Sequence, residues 1–190
     1  MFKMNQDAYI QRLYKRGFIQ LGAGLYSTVL TKPGSDRVVK VGRYTDQWPQ
    51  YVEWATIKGY AGSFAPKVYS LKYHNQFYVA IMEQLVDTMA GIHREGGSTS
   101  SEIAYRTFRE YALGFRDGKI DANAEHLIAF AKDLRNAKLA SDLHDGNIMI
   151  RKDGQIVVTD PASGASNSTN LRIKRGLITK SDATIVVDFG

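Results

Sequence analysis

The 190-residue sequence contains no cysteine, so disulfides, thiol nucleophiles and thiolate metal sites are excluded from the outset. No apolar run approaches the ~18–20 residues needed to cross a bilayer. The opening stretch, "MFKMNQDAYIQRLYKRGF", lacks the unbroken apolar core of a secretory signal. Internal repeats and low-complexity tracts are missing too. Although the formal net charge is +6, no long basic run with interleaved aromatics accompanies it, so specific nucleic-acid recognition is not expected. These absences predict a soluble, cytoplasmic chain with no membrane partner. The positive charge favours anionic ligands or acidic partners in general.

The chain is 44% hydrophobic, 11% aromatic and 23% charged, enough apolar surface for a real core at ordinary globular charge. Its length suits one domain, or two small lobes sharing a cleft. Residues 5–16 show helical spacing, with Tyr9, Ile10 and Leu13 on one face. "GFIQLGAGLYSTVLTK" reads as two β-rich runs joined through glycines, "KPGSD" as a turn and "RVVKV" as a third strand. Residues 46–60 look helical, with Pro49 allowed in the first turn. "PKVYSLKYH" and "FYVAIMEQL" alternate as a hairpin would.

The texture changes after Leu85. "HREGGSTSS" is a polar loop. Residues 101–115 have helical character. Residues 122–139 carry Leu127, Phe130, Ala131 and Leu134 at helical spacing, with Asp121 or Asn123 as the cap. "NIMI" and "IVVT" flank the Asp153-Gly154 turn of another hairpin. The segment from Gly164 to Asn170 is small and polar, and "LITKSDATIVVDFG" ends on an apolar strand. The boundary is therefore expected at residue 85, with regions 1–85 and 86–190.

Several residues stand out chemically. In "LGAGLYSTVL", Gly22, Ala23, Gly24 and Ser27 either serve turn geometry or let backbone N–H groups approach phosphate oxygens, with Val29 able to cover a flat base. Lys40 sits in an apolar strand. Its ammonium either snorkels to solvent or reaches a cleft and neutralises phosphates. Glu53 on the following helix is its candidate ion-pair partner. In "IMEQL", the Glu83 carbonyl and Leu85 N–H can hydrogen-bond an adenine edge, with Met82 behind it. The stretch "DLHDGNIMIRKDGQIVVTDP" sets Asp142, Asn147 and Asp160 around two apolar runs. Asx side chains in turns often cap their own backbone, which suits Asp153 and Asp145. It does not explain why Asp142 and Asp160 each border an apolar strand. Brought together by the hairpin, the three would fit the phosphoryl-transfer template in which a first aspartate orients an acceptor hydroxyl and an asparagine and a second aspartate supply the hard oxygen ligands that magnesium prefers. His144 can contact a transferred phosphoryl group.

With these residues in this order, the chain resembles the protein-kinase-like superfamily. "DLHDGNIMI" is similar to the catalytic loop of its bacterial and phosphotransferase branches. "VVKVG", "SDLHDGNIM" and "VVTDPAS" resemble the early serine/threonine protein kinases of T-seven-like podoviruses, over about residues 20–163. The resemblance implies an α+β, minimal two-lobed kinase-like fold: an N-lobe antiparallel sheet with one helix and a small, mainly helical C-lobe. It implies Asp142 as catalytic aspartate, Asn147 and Asp160 as metal ligands, Lys40 as phosphate lysine and Gly22–Ser27 as phosphate loop. ATP and Mg2+ follow as cofactors, and host bacterial proteins as partners.

The chain departs from the pattern in three places. Ala140 and Ser141 replace the residues that usually brace the catalytic loop. Pro161-Ala162 follows Asp160 where Phe-Gly is customary. A literal Asp-Phe-Gly occurs instead at Asp188–Gly190, at the very end. The expected activity is ATP-dependent phosphorylation of serine or threonine on host proteins, and of the chain itself at Ser163, Ser166, Ser168 or Thr169. A small-molecule phosphotransferase and a non-catalytic host-protein binder are the alternatives.

Overall fold

The computed structural model describes residues 5–74, 76–87, 125–143, 145–162 and 187–188. The expected helix over 101–115, the helix caps Asp121 and Asn123, and Ser163, Ser166, Ser168 and Thr169 lie outside them. The chain forms two compact units. One comprises Met1–Gln50, Lys67–Gln84 and Gly164–Gly190; the other comprises Tyr51–Pro66 and Leu85–Ser163.

The first unit opens with helix α1 (Gln6–Lys15). Asn5 caps it, accepting a 2.8 Å hydrogen bond from the Ala8 N–H that the first turn would otherwise leave unpaired. Strands β1 (Ile19–Ala23), β2 (Ser27–Thr31) and β3 (Arg37–Arg43) follow as a meander. Helix α2 (Trp48–Ile57) comes next and takes Pro49 in its first turn. Strands β4 (Val68–Tyr73) and β5 (Phe77–Glu83) form the expected hairpin. All pair antiparallel in the order β1-β2-β3-β5-β4, and β9 (Val187–Asp188) adds at the β4 edge.

Side chains alternate across a strand, and residues paired across an antiparallel ladder share a face. The register therefore sorts the sheet into two surfaces. On one, α1 lays Ile10 and Leu13 against Leu30, Val41, Phe77 and Val79, with Tyr9, Tyr14, Phe18 and Val39 around them. On the other lie Val38, Lys40 and Gly42 of β3, opposite Met82, Ala80 and Tyr78 of β5.

In the second unit, β6 (Val86–Asp87), β7 (Ile148–Ile150) and β8 (Ile156–Val158) make a three-stranded antiparallel sheet. Helix α3 (Glu125–Asn136) buries Leu127, Ile128, Phe130, Ala131 and Leu134, the stripe its spacing predicts. Phe130 meets Tyr60 and Phe64 at 4.8 and 5.5 Å between ring centroids, and Trp54 at 6.1 Å. Beyond α3, the Leu139 N–H returns to the Leu134 carbonyl and the Lys138 N–H to the Arg135 carbonyl. This is the Schellman arrangement, with Leu139 and Leu134 both buried. The left-handed position falls on Lys138, at φ 58°.

Two predictions follow from these local conformations. A left-handed φ costs an L-residue about 1–2 kcal/mol, partly offset by glycine's greater loss of backbone freedom. Lys138→Gly should therefore stabilise the protein by about 0.5–1 kcal/mol, seen as a melting temperature raised by ~1–4 °C; a lowered one would contradict the cap. The second concerns His74, stacked on Phe77 at 4.5 Å and near Tyr9 at 5.7 Å. Burial, and then nearby Lys72, pull its pKa below the ordinary value. Between about pH 6.5 and that lower value the unfolded chain binds a proton that the folded chain does not, so stability falls as pH falls. His74→Phe should reduce the loss of melting temperature between pH 7.5 and 5.5; an unchanged loss would remove His74 from the explanation.

Candidate active site

In the first unit, register gathers the residues that the sequence marked for nucleotide. Gly22 pairs with Val29, Val29 with Lys40 and Ser27 with Gly42. Lys40 then faces Ala80, and Val38 faces Met82. Gly22, Ser27, Val29, Lys40 and Met82 thus share the sheet face opposite α1. A register irregularity between Gln20 and Gly22 brings Gly22 onto this face.

Glycine geometry bears on the turn reading of the β1–β2 connection. A side chain at Gly22 or Gly24 would meet no atom within 4 Å, and neither residue has a left-handed φ. Turn geometry therefore does not require glycine at either place. The absent side chains instead leave open space above exposed backbone. The turn is closed by the Gly24 N–H donating to the Ser27 carbonyl at 2.8 Å. Ala23 pairs with Thr28 and so projects to the other face.

Lys40 is 4% exposed, which rules out snorkelling into solvent. Its Nζ lies 4.6 Å from the centroid of the Trp48 ring, close enough for cation–π attraction. At the far end of β5, the Glu83 N–H donates to the Lys67 carbonyl and a Glu83 carboxylate oxygen accepts from the Lys67 N–H. The Gln84 N–H donates to the Asp36 carbonyl, and Thr31 Oγ1 donates to Gln84 Oε1. These bonds fix the chain as it leaves the sheet between Met82 and Leu85.

In the second unit, the Schellman turn delivers the chain to Asp142. The Asp142 N–H donates to the Pro161 carbonyl at 2.8 Å. The Asn147 side-chain Nδ2 donates to the Asp142 carbonyl at 2.8 Å, which points the amide oxygen the other way. Thr159 then donates twice to the Asn147 carbonyl, from N–H at 2.8 Å and from Oγ1 at 3.0 Å. Asp160 lies between Thr159 and Pro161, so these bonds bring Asp142, Asn147 and Asp160 together. The backbone link from Asp142 to Pro161 also braces the loop, where the sequence lacks the usual residues at Ala140 and Ser141.

Tyr51 supports this assembly from α2, its buried hydroxyl donating to the Val158 carbonyl at 2.6 Å. Burial, and then the negative charge of Asp160, raise the Tyr51 pKa well above its ordinary value. Arg151 pins the hairpin to the 60–66 segment through the Ser63 and Ala65 carbonyls. The Val158 N–H completes that seam at the Phe64 carbonyl.

Glu53 is half-buried on α2, among the residues of the second unit. His144 lies outside the described residues. Asp188 stands opposite Ser70 on the edge strand β9, whereas Asp160 is flanked by bonds to the catalytic loop. Among the described residues no group of three or more His, Cys, Asp or Glu side chains could hold a metal, and no helix is long and apolar enough to cross a membrane. Sequence reasoning missed Tyr51, Arg151, Asp46 and Tyr78. Only Asp46, two residues ahead of Trp48-Pro49, carried a local signal, that of a helix cap.

No curated protein matches the sequence. Among solved structures the chain is similar to Rad53 1–466 in complex with AMP-PNP, at 17% identity and a TM-score of 0.45. That match covers 82% of this chain and 43% of the other, so the chain spans less than half the length of that structure. Residues 5–183 match the family described as bacteriophage T7 protein kinase 0.7. A match over almost the whole sequence, on a chain whose kinase-type loop and hairpin are bonded to each other, means that the protein belongs to the bacteriophage T7 protein kinase 0.7 family.

Proposed function

We propose that the protein is an ATP-dependent serine/threonine protein kinase acting on host bacterial proteins in the host cytoplasm and on itself, with lobes divided near residue 85. The observation that carries this reading is the tie between the catalytic loop and the hairpin end: Asp142 bonded to Pro161, and Thr159 to Asn147. In this role Asp142 orients the acceptor hydroxyl. The shared face of Gly22, Ser27, Val29, Lys40 and Met82 receives the nucleotide, with Lys40 toward the phosphates. The Glu83 carbonyl and Leu85 N–H meet the adenine edge, Glu53 pairs with Lys40, and His144 approaches the transferred group.

The donor chemistry suits magnesium. The Asn147 amide nitrogen donates to the Asp142 carbonyl, so the amide oxygen is the atom that would ligate, and Asp160 would offer a carboxylate. Two hard oxygen donors, completed by phosphates and water, are what magnesium sites in phosphoryl-transfer enzymes commonly hold. Bound there, the ion would neutralise phosphate charge. The chain's own residues position the groups and stabilise charge, which is most of what this chemistry asks of a protein.

Labelled-phosphate transfer from ATP and magnesium to host lysate tests the reading. Asp142→Asn, Asp160→Asn and Lys40→Ala should each lower transfer by about 10²-fold or more. Asp188→Asn should stay within roughly twofold of wild type, since Asp188 pairs with Ser70 at the sheet edge and takes no part in the proposed metal set. Loss at Asp188 with retention at Asp160 would reassign the metal ligand. Self-modification should add about 80 Da per phosphoryl group to the intact mass, and not in Asp142→Asn; its absence from the wild type would remove that part.

A further inference from the structure

Two residues beyond Lys40 on β3 is Gly42, and it is pressed by a neighbour where Gly17, Gly22, Gly24, Gly34 and Gly59 are not. A Cβ at Gly42 would lie 2.2 Å from Cζ of Tyr78, its partner across the β3–β5 ladder. No real side chain survives such an approach, so glycine here is what lets the Tyr78 phenol cross over β3. The fully buried Tyr78 hydroxyl donates to a carboxylate oxygen of Asp46. The other Asp46 oxygen accepts from the Trp48 N–H at 3.0 Å, at the start of α2. Asp46 is itself only 4% exposed, and a carboxylate so buried requires such donors. Tyr78 also stacks on Trp48, at 5.6 Å and 8° between planes. The opposite end of the chain of contacts is Lys40, whose Nζ lies 4.6 Å from the Trp48 centroid.

We propose that Gly42, Tyr78, Asp46 and Trp48 are positioning residues that place the Lys40 ammonium for the nucleotide phosphates. Gly42 admits the phenol. Tyr78 and the helix-start amide together fix Asp46, and Asp46 with the stacked phenol fixes the Trp48 indole. The indole presents a ring face to the ammonium. This inference rests on the nucleotide reading of Lys40 given above, and it assigns to these four residues a share in affinity for the phosphates and none in affinity for the base.

The test is titration of ATP and of adenosine into the wild-type protein, Trp48→Leu, Trp48→Phe, Tyr78→Phe and Lys40→Ala, with melting temperature followed in parallel. Loss of a cation–π contact corresponds to roughly three- to tenfold in affinity. Trp48→Leu should weaken ATP by about that factor and leave adenosine within twofold, and Trp48→Phe, which keeps a ring face, should recover most of it. Tyr78→Phe should weaken ATP in the same selective way. Either effect should vanish in the Lys40→Ala background. Equal weakening of ATP and adenosine, or none, with Lys40→Ala still selective for ATP, would overturn the positioning role alone. A wild-type protein whose ATP affinity does not respond to Lys40→Ala would overturn the nucleotide reading and this inference with it.

Discussion

The second unit is organised around one backbone hydrogen bond, from the Asp142 N–H to the Pro161 carbonyl. It joins the loop after α3 to the strand end after β8, and the β7–β8 hairpin supplies the chain between them. The bond would be weak alone, about 0.5–1.5 kcal/mol net. Its effect is geometric, because Thr159 binds the Asn147 carbonyl on the other side of Asp160. With both neighbours of Asp160 fixed, that carboxylate has little freedom to leave the loop. Tyr51 holds the same element to α2, and Arg151 holds it to the 60–66 segment. In the proposed metal role, Asp160 and Asn147 must stay close while each keeps an oxygen for the ion. Backbone bonds provide that closeness without spending the ligating oxygens.

In the first unit the controlling constraint is register. Side-chain direction alternates residue by residue, so a slip of one place would turn Lys40 toward α1 and Val39 toward the opposite face. The hydrophobic pattern opposes such a slip. Ile10 and Leu13 of α1 need Leu30, Val41, Phe77 and Val79 on their side. Burying an ammonium there would cost far more than the contacts return. The packing of α1 on one surface is thus what decides that the lysine emerges on the other.

Legibility in the sequence followed how local each cause was. Asp142, Asn147 and Asp160 lie on one loop and one hairpin, and Asp153-Gly154 announces the turn; their association was readable because short-range signals carried it. The helices α1 and α3 were readable from period, though the end of α3 hides its left-handed residue in a lysine, where glycine or asparagine would have signalled it. Gly22 and Gly24 were ambiguous, since a turn and a ligand both use glycine, and only the surrounding space separates the two. Gly42 was unreadable as a special position. Its requirement comes from Tyr78 across the ladder, and no pattern within "VVKVG" states which residue of β5 will face it. Arg151 and Tyr51 were hidden for the same reason, as their carbonyl partners are 86–107 residues away in sequence.

Why an indole should lie against a buried lysine follows from the energetics of burial. An ammonium taken out of water must be compensated, or it gives up its proton. A carboxylate, such as Glu53 in the proposed pair, compensates strongly but also competes with a phosphate for the same donors. A ring face attracts the charge through its quadrupole, at about 0.5–2 kcal/mol depending on solvation, and it accepts no lone-pair hydrogen bond that a phosphate oxygen would have to displace. The arrangement suits a cation that must be held in place and still be available to a ligand. Asp46, the buried acid nearest in sequence to Trp48, directs its oxygens to a phenol and a helix amide, and so supports the indole and the start of α2.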